Sequence, residues 1–514
     1  MLERIKRYLK NNHLTQLAAV LCAVLMLVCL PLVFRNALFD INRVKAELLI
    51  AAVPICVLLS GAGFSASRKH LILFREVKMA FLCIFLFAVS AVISAGRSGF
   101  SQAVLYGIQG RQCGLLFLLA CCAGALVIAA GGLQGTNIRL MASVSAAMVA
   151  LLGVLNAVGI DPFGFYVRMQ KGQEHLFLST IGNIDFFGCY LALMLPLAAA
   201  GWIFPDNRMR GWLCFVCSVS IICGIAVSRS DTALIAVQAG MLVLLIYSGN
   251  SYVSMAKTLF LWGLSFFTLP LMYHVLKNAE YFMPVNGLFL LFCESPAAWV
   301  GGIVLLAGCV CCRCASKNGK KLPGVRRIAV LAMTAVFILL LLLIAAIVCF
   351  TVVFPEAEIG VLSSFLRFND HWGTRRGFVY RCSMNALAGF SPLDWFFGRG
   401  VDMTRHILEP YFDNPSMLAH GVFNDAHCQP LQYLLTIGLL GAGSLTAFYL
   451  SAMICFARHA KIDMSLCGCF AALSAYIPVA LLSVSQPILI ASFFAVCAAG
   501  LSRVQYLSVR EGTL

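Results

Sequence analysis

Charged residues are scarce in this chain. They make up 11% of its 514 residues, while 61% are hydrophobic. A soluble globular domain is about 25% charged and about 45–50% apolar, so one water-facing fold could not hide this much apolar surface. Lipid is the solvent that tolerates it, and a mean hydropathy of +0.92 points the same way. The expected class is an all-α polytopic membrane protein, because a helix satisfies its own backbone groups in hydrocarbon.

Acidic residues are fewer than basic ones, 21 against 37, for a net charge of +16. A nucleic-acid partner would need those cations on a stripe interleaved with aromatics. That stripe is missing. The basic residues fall mostly in short gaps between apolar runs, where positive charge marks cytoplasmic loops. Also missing is a disulfide framework. Of 23 cysteines nearly all lie inside apolar runs, and only Cys113, Cys382 and Cys428 fall near predicted outer loops. Cys309, Cys311, Cys312 and Cys314 cluster at one helix end, yet no second Cys or His pair completes a zinc site. They read as small apolar packing residues. Arg4, Lys6, Arg7 and Lys10 precede the first apolar run, but no small-residue cleavage site with a polar mature start follows it. A retained first helix is expected rather than a removed signal peptide.

What is present is a rhythm of apolar runs of spanning length. They fall near 14–34, 47–64, 79–95, 114–131, 140–160, 181–204, 212–228, 231–248, 257–276, 287–312, 328–353, 427–457, 464–482 and 487–502. That makes about fourteen transmembrane helices. With the N-terminus inside, the denser basic runs fall on predicted inner loops. Arg68, Lys69, Arg75 and Lys78 share one, and Arg313, Lys317, Lys320, Lys321, Arg326 and Arg327 another. The bias puts both termini in the cytoplasm, and an odd number of helices would invert half of it.

One segment breaks the rhythm and divides the chain into 1–353, with the first eleven predicted helices, 354–426, and 427–514, with the last three. The middle piece is a long extracytoplasmic loop. It mixes aromatics, proline and both charge signs, which suits a folded and functional loop. Within it, 374–390 reads as a short helix stopped by Ser391-Pro392.

Three places set charged or titratable groups at the predicted outer face. Ser228-Arg229-Ser230-Asp231 joins two helices with almost no loop. An arginine costs roughly 2.5–3.5 kcal/mol at a helix centre in the membrane and less near the interface. Arg229 reads either as an interfacial group paired with Asp231 or as a ligand-binding group. Arg375, Arg376 and Arg381 lie close together on the long loop. Guanidinium groups suit a phosphate or diphosphate, since each is a planar donor fork; the alternative is a solvated charge run. All three cannot share one helical face, so one or two would act. Asp425-Ala426-His427-Cys428 stands where the loop re-enters the membrane. His titrates near neutral pH and can take a proton from an attacking hydroxyl, with Asp425 to orient it. A lone interfacial histidine is otherwise structural. Gly438, Gly441 and Gly443 suit close helix packing. Glu294 reads as the one carboxylate inside a span, a functional candidate without a partner to name.

Arg376-x-x-x-Tyr380, Pro392, Gly398-Arg399-Gly400 and then Ala426-His427-x-x-x-Leu431-x-x-Leu434-x-x-x-Gly438 follow one another in this order. Upstream stand Thr180-Ile181-Gly182-Asn183-x-Asp185, Tyr190-Leu191-Ala192 and Ser228-Arg229. Together, over roughly 160–500, these resemble the O-antigen ligase and polymerase family. That family typically shows an Arg, an aromatic four later, a Pro, a Gly-x-Gly and an Ala-His-Asn helix opening. Here Cys428 replaces the Asn, Thr436 the usual acidic residue, and Gly182-Asn183-Ile184-Asp185 a Gly-Asn-x-Asn segment.

The resemblance implies a C-type glycosyltransferase-like fold in the bacterial cytoplasmic membrane. It implies transfer or polymerisation of glycan units from an undecaprenyl-diphosphate donor to a glycan or lipid acceptor. Arg229 and Arg376, with Arg375, would hold the diphosphate. His427 would activate the acceptor or steady the departing group, and Asp425, Arg381, Asn183 and Asp185 would support them. No metal or cofactor is implied, and no carboxylate cluster stands out to hold a metal. Polymerase and ligase both remain open. A lipid-linked glycan flippase is the alternative from another class, though transporters tend to show internal repeats and none stands out here.

Overall fold

The computed structural model describes residues 13–67, 75–133, 136–283, 287–317, 334, 338–339, 341–360, 363–418 and 423–511. The protein is an all-α polytopic membrane protein: among these residues, 12 helices are long and apolar enough to cross a bilayer. In chain order the helices are α1 (His13–Leu32), α2 (Ile41–Ser67), α3 (Arg75–Arg97), α4 (Gln102–Tyr106), α5 (Leu115–Ala130) and α6 (Thr136–Ala157). A two-residue hairpin, β1 (Phe177–Leu178) and β2 (Gly182–Asn183), precedes α7 (Ile184–Ile203). Then come α8 (Arg208–Ser228), α9 (Asp231–Ser248), α10 (Tyr252–Leu276), α11 (Leu288–Glu294), α12 (Pro296–Lys317) and α13 (Leu341–Val353). The long loop holds α14 (Trp372–Ala388), α15 (Pro392–Phe397) and α16 (Thr404–Leu408). The chain closes with α17 (Gln429–His459), α18 (Ser465–Leu482) and α19 (Pro487–Glu511).

Three predicted runs have a different outcome. The fourth forms α5, only 16 residues long, and the eleventh lies partly outside the described residues, with α13 as its described end. The tenth run is cut in two. Ser295 is extended and Pro296 starts a new helix, because proline cannot continue the preceding hydrogen-bond ladder. Glu294 therefore ends α11 as an exposed residue instead of being buried inside a span, and its carboxylate accepts the Tyr273 hydroxyl at 2.9 Å.

Helix α7 is the axis of the molecule. In its most apolar window 94% of residues are buried, against 17% for α12, which packs chiefly on α10 at the edge. Around α7 stand α6, α8, α9 and α18. Small residues permit this crowding, as helix association in lipid requires: a Cβ on Gly188 would press on the Ser228 side chain and Ala233. Next to it, α19 is 89% buried and packs on α5 and α17. A buried lysine also serves the framework. Lys45, in α2, donates to Leu30 O and Val33 O at 2.8 Å each and so satisfies carbonyls at the C-terminal end of α1.

The loop is folded, with its own core of Phe378, Val379, Cys382, Leu387, Leu408 and Phe423. Its docking explains one of the sequence motifs. Gly438 interrupts α17 with φ 71 and ψ −174, which leaves carbonyls one turn back without helical partners. Arg399 N and Gly400 N donate to Leu435 O and Thr436 O at 3.0 and 3.1 Å, while Ser90 and Ser94 hydroxyls donate to Ile437 O and Thr436 O. Gly398 lies so close that a Cβ there would collide with the backbone at Thr436. Gly438 thus breaks a helix to receive the Gly-x-Gly turn, and close helix packing is not its main role.

Candidate functional site

The loop meets the bundle at one end of α7. Asn183 caps that helix by accepting Asp185 N at 2.9 Å, which leaves the Asp185 carboxylate at its positive N-terminus. The carboxylate acts electrostatically on Arg229, Asp231 and His427, while Arg376 acts on Asp231, His427, Cys189 and Tyr380. Residues from four separate segments therefore share one neighbourhood. Of the stretches that carried the resemblance, the hairpin with Asp185, Ser228-Arg229, Arg376 to Tyr380 and the 425–428 turn all contribute to it.

Arg376 follows an abrupt turn. Gly373, Thr374 and Arg375 are left-handed, with φ 58, 60 and 72, before α14 resumes its normal course. Gly377 then passes so near Asn369 O that no side chain would fit. The Arg376 guanidinium has no hydrogen-bond or ion-pair partner among the described residues. Its two neighbours are engaged elsewhere. Arg375 lies over Phe423 at 5.9 Å, with Nη1 buried and without a partner among the described residues. Arg381 is held by two carboxylates, Asp370 at 2.9 Å and Asp413 at 2.6 Å, which pins the loop to itself.

Arg229 is not paired with Asp231. Its Nε donates to Val227 O at 3.2 Å and Nη1 to Met283 O at 2.5 Å, Nη2 reaches His175 O, and the group lies 4.7 Å from the Phe282 ring centre. Burial pushes its pKa down to about 10, still well above neutrality. It ties the 173–183 segment to the turn before α11. Asp231 instead caps α11, accepting Phe289 N at 2.7 Å, and Gly287 leaves the room its carboxylate needs.

His427 has φ 52, and its backbone N donates to Asp425 Oδ1 at 2.6 Å. Tyr380 donates its hydroxyl to His427 O at 3.3 Å. Burial pushes the imidazole below its ordinary pKa; Asp425 and Asp185 pull it up, and Arg376 and Arg111 push it further down. A ring that is neutral at neutral pH can accept a proton.

Sequence reasoning missed what holds Asp425. Arg111, 3% exposed, donates through Nε to Asp402 Oδ1 at 2.7 Å and through Nη1 to Asp425. Burial works against this charge, but the two carboxylates raise its pKa more than burial lowers it. Asp402 also accepts Ile108 N at 2.9 Å, and Asp425 accepts Ser485 N at 3.3 Å. The Asp402–Arg111–Asp425 triad thus joins the turn after α4, the turn after Gly400 and the start of α17. Its signal in the sequence is faint, because the arginine lies 291 and 314 positions from its two carboxylates.

Backbone strain gathers here too. Among the described residues ten non-glycine residues have positive φ, and six of them, Gln112, Arg229, Thr374, Arg375, Asp402 and His427, belong to or adjoin this cluster. Each costs on the order of 1–3 kcal/mol and persists where the surroundings enforce it, commonly at functional sites. A groove of about 1010 Å³ adjoins the cluster. Its walls carry amide and aromatic groups, among them Asn42, Gln102, Gln112, Asn183, Tyr106 and Phe186. Such walls suit a ligand rich in hydroxyls, because amides hydrogen-bond them and ring faces cover the C–H surfaces between.

No protein-family model matches the chain, and a search of curated proteins finds none similar to it.

Proposed function

We propose that this protein is a metal-independent membrane glycosyltransferase that transfers or polymerises glycan units from undecaprenyl-diphosphate donors. The acceptor is a glycan or lipid hydroxyl, and the work is done at the loop-bearing end of the bundle, on the extracytoplasmic face of a bacterial cytoplasmic membrane. Both termini lie in the cytoplasm in this reading. The observation that carries it is the Arg376 guanidinium, without a partner among the described residues, in one electrostatic neighbourhood with His427 and Asp185, beside a groove walled by amides and aromatics.

The bond that breaks joins the donor's anomeric carbon to the diphosphate oxygen, and the bond that forms joins that carbon to the acceptor oxygen. His427 takes the acceptor's proton. Arg376 receives the charge that gathers on the departing diphosphate, and preorganised donors of this kind act most strongly in a dry site. Arg229, with three nitrogens already donating to carbonyls, holds the 173–183 segment in place. Arg375 and Arg381 anchor the loop that presents Arg376, and the Arg111 triad holds the His427 turn. The resemblance to the O-antigen ligase and polymerase family supports the donor class, and the groove supports a sugar acceptor.

The test is gel analysis of surface glycan from cells carrying wild type, Arg376→Ala or His427→Ala, with membrane insertion checked by blotting. Both variants are expected to insert and to lose product. A collapsed length ladder assigns a polymerase, and full-length unattached glycan a ligase. Wild-type product from both variants overturns the reading. A flippase would move lipid-linked sugar without changing its length, so transport without transfer in reconstituted vesicles overturns it as well.

A further inference from the structure

The far end of α7 holds a second buried arginine that the proposed chemistry does not use. Arg139, in the first turns of α6, is 8% exposed. Its Nη2 reaches Asp206 Oδ2 at 3.3 Å, and the Asp206 side chain is itself 36% exposed. Nε and Nη1 are buried and have no partner among the described residues. Gly201 makes room for the neighbouring Cys214 side chain, since a Cβ there would lie 2.5 Å from its sulfur, and it borders Nε. The thiols of Cys214, Cys467 and Cys469 lie within its field, but thiols are weak acceptors. A buried charge with unmatched donors is costly and calls for an acceptor.

Beside it is a cavity of about 30 Å³ lined by Arg139, Arg503, Ser465, Leu466, Leu27 and Val496. Ser465 opens α18, so the positive end of an 18-residue helix borders the same space. Arg503 is already matched. It donates to Asp463 Oδ2 at 2.5 Å, and Asp463 Oδ1 accepts Ser465 N at 2.8 Å. One cation at this end is thus neutralised in place, and the other is only half served. Arg210 adds a further positive charge near Cys214. The space holds one or two water-sized atoms. That is too little for a sugar or a base and enough for oxygens of a phosphate whose other substituents stay outside.

We propose that Arg139, beside the N-terminus of α18 and the Arg503–Asp463 pair, forms a binding site for a phosphate group at the end of the bundle remote from the loop. The group belongs to an anionic lipid headgroup or to free phosphate, and both present the same oxygens to the same donors. The site is independent of the glycan-transfer reading and survives its failure.

The experiment follows thermal unfolding of the full-length protein in neutral detergent micelles, titrated with phosphatidylglycerol in the micelle or with inorganic phosphate in the buffer. The wild type is expected to be stabilised in a saturable way. Response to phosphatidylglycerol alone assigns a lipid headgroup, and response to inorganic phosphate alone assigns the free anion. Arg139→Met should weaken apparent affinity about 10–100-fold, the range for hydrogen bonds to a charged group. Asp206→Asn removes the competing carboxylate and should tighten binding, which keeps the proposal open to refutation if the methionine variant does not fold. No stabilisation of the wild type by either probe means the cavity holds only water and overturns the proposal. So does equal affinity in the wild type and whichever variants fold.

Discussion

At one end of α7 several arginines face several carboxylates, and at the other end the balance is sparser. Near Asp185 the division of labour is clear. Arg111 and Arg381 are each saturated by two aspartates and Arg229 by carbonyls, while among the described residues Arg376 has no partner and Arg375 only the Phe423 ring. Near Gly201, Arg503 has its own aspartate while Arg139 has one long contact to a part-exposed one. The two ends teach that an arginine's position in a membrane protein says little by itself. Its function depends on what its neighbours leave unsatisfied. A saturated guanidinium is a strut, and an open one is available to an anion.

The comparison can be broken where the effects are largest. Arg376→Ala should lower transfer on the order of 10²–10³-fold, the loss seen when one preorganised donor is removed. His427→Ala should cost about 10²–10⁴-fold as a lost general base. Initial rates with a lipid-linked donor in proteoliposomes measure both, and folding should be unchanged. Arg111→Ala should behave in the opposite way. Stripping the charge from two buried carboxylates is expected to destabilise by about 3–5 kcal/mol, read as a lower unfolding temperature and as proteolysis of the 354–426 segment.

A pH profile sharpens the contrast. Burial depresses the His427 pKa, so the base stays active below the ordinary histidine value of about 6.5. The acid limb of the rate should therefore have its midpoint under that value. A midpoint above it would mean that the titrating group is not this imidazole. The smallest effect is expected at Arg381, whose ion pairs with Asp370 and Asp413 are 35% exposed on the arginine side. Arg381→Ala should cost no more than about 1 kcal/mol and leave the rate within a fewfold of wild type. A loss as large as that of Arg376→Ala would show that Arg381 contacts the substrate.

Much of the site was legible in linear sequence, for reasons that differ by residue. Arg376 and His427 stand in short motifs with fixed spacing, and short spacing is all that a local turn needs. The pairing of Gly398-Arg399-Gly400 with Gly438 was visible as two motifs, but not as a broken helix receiving a loop. The pairing of Arg229 with Asp231 and the burial of Glu294 inside a span were misjudged for a common reason. A residue's nearest charge along the chain is not its nearest partner in space: Arg229 turned to Met283 and His175, and Glu294 left the span at a proline break.

By itself the sequence determined the membrane class, most helix positions and the folded loop, because hydropathy is additive along the chain and a bilayer reads it segment by segment. Only the tertiary structure decided which charges are spent and which are free. The partners of Arg111 lie 291 and 314 positions away, and matching a buried guanidinium to its acceptors depends on distance in space, which residue order does not encode.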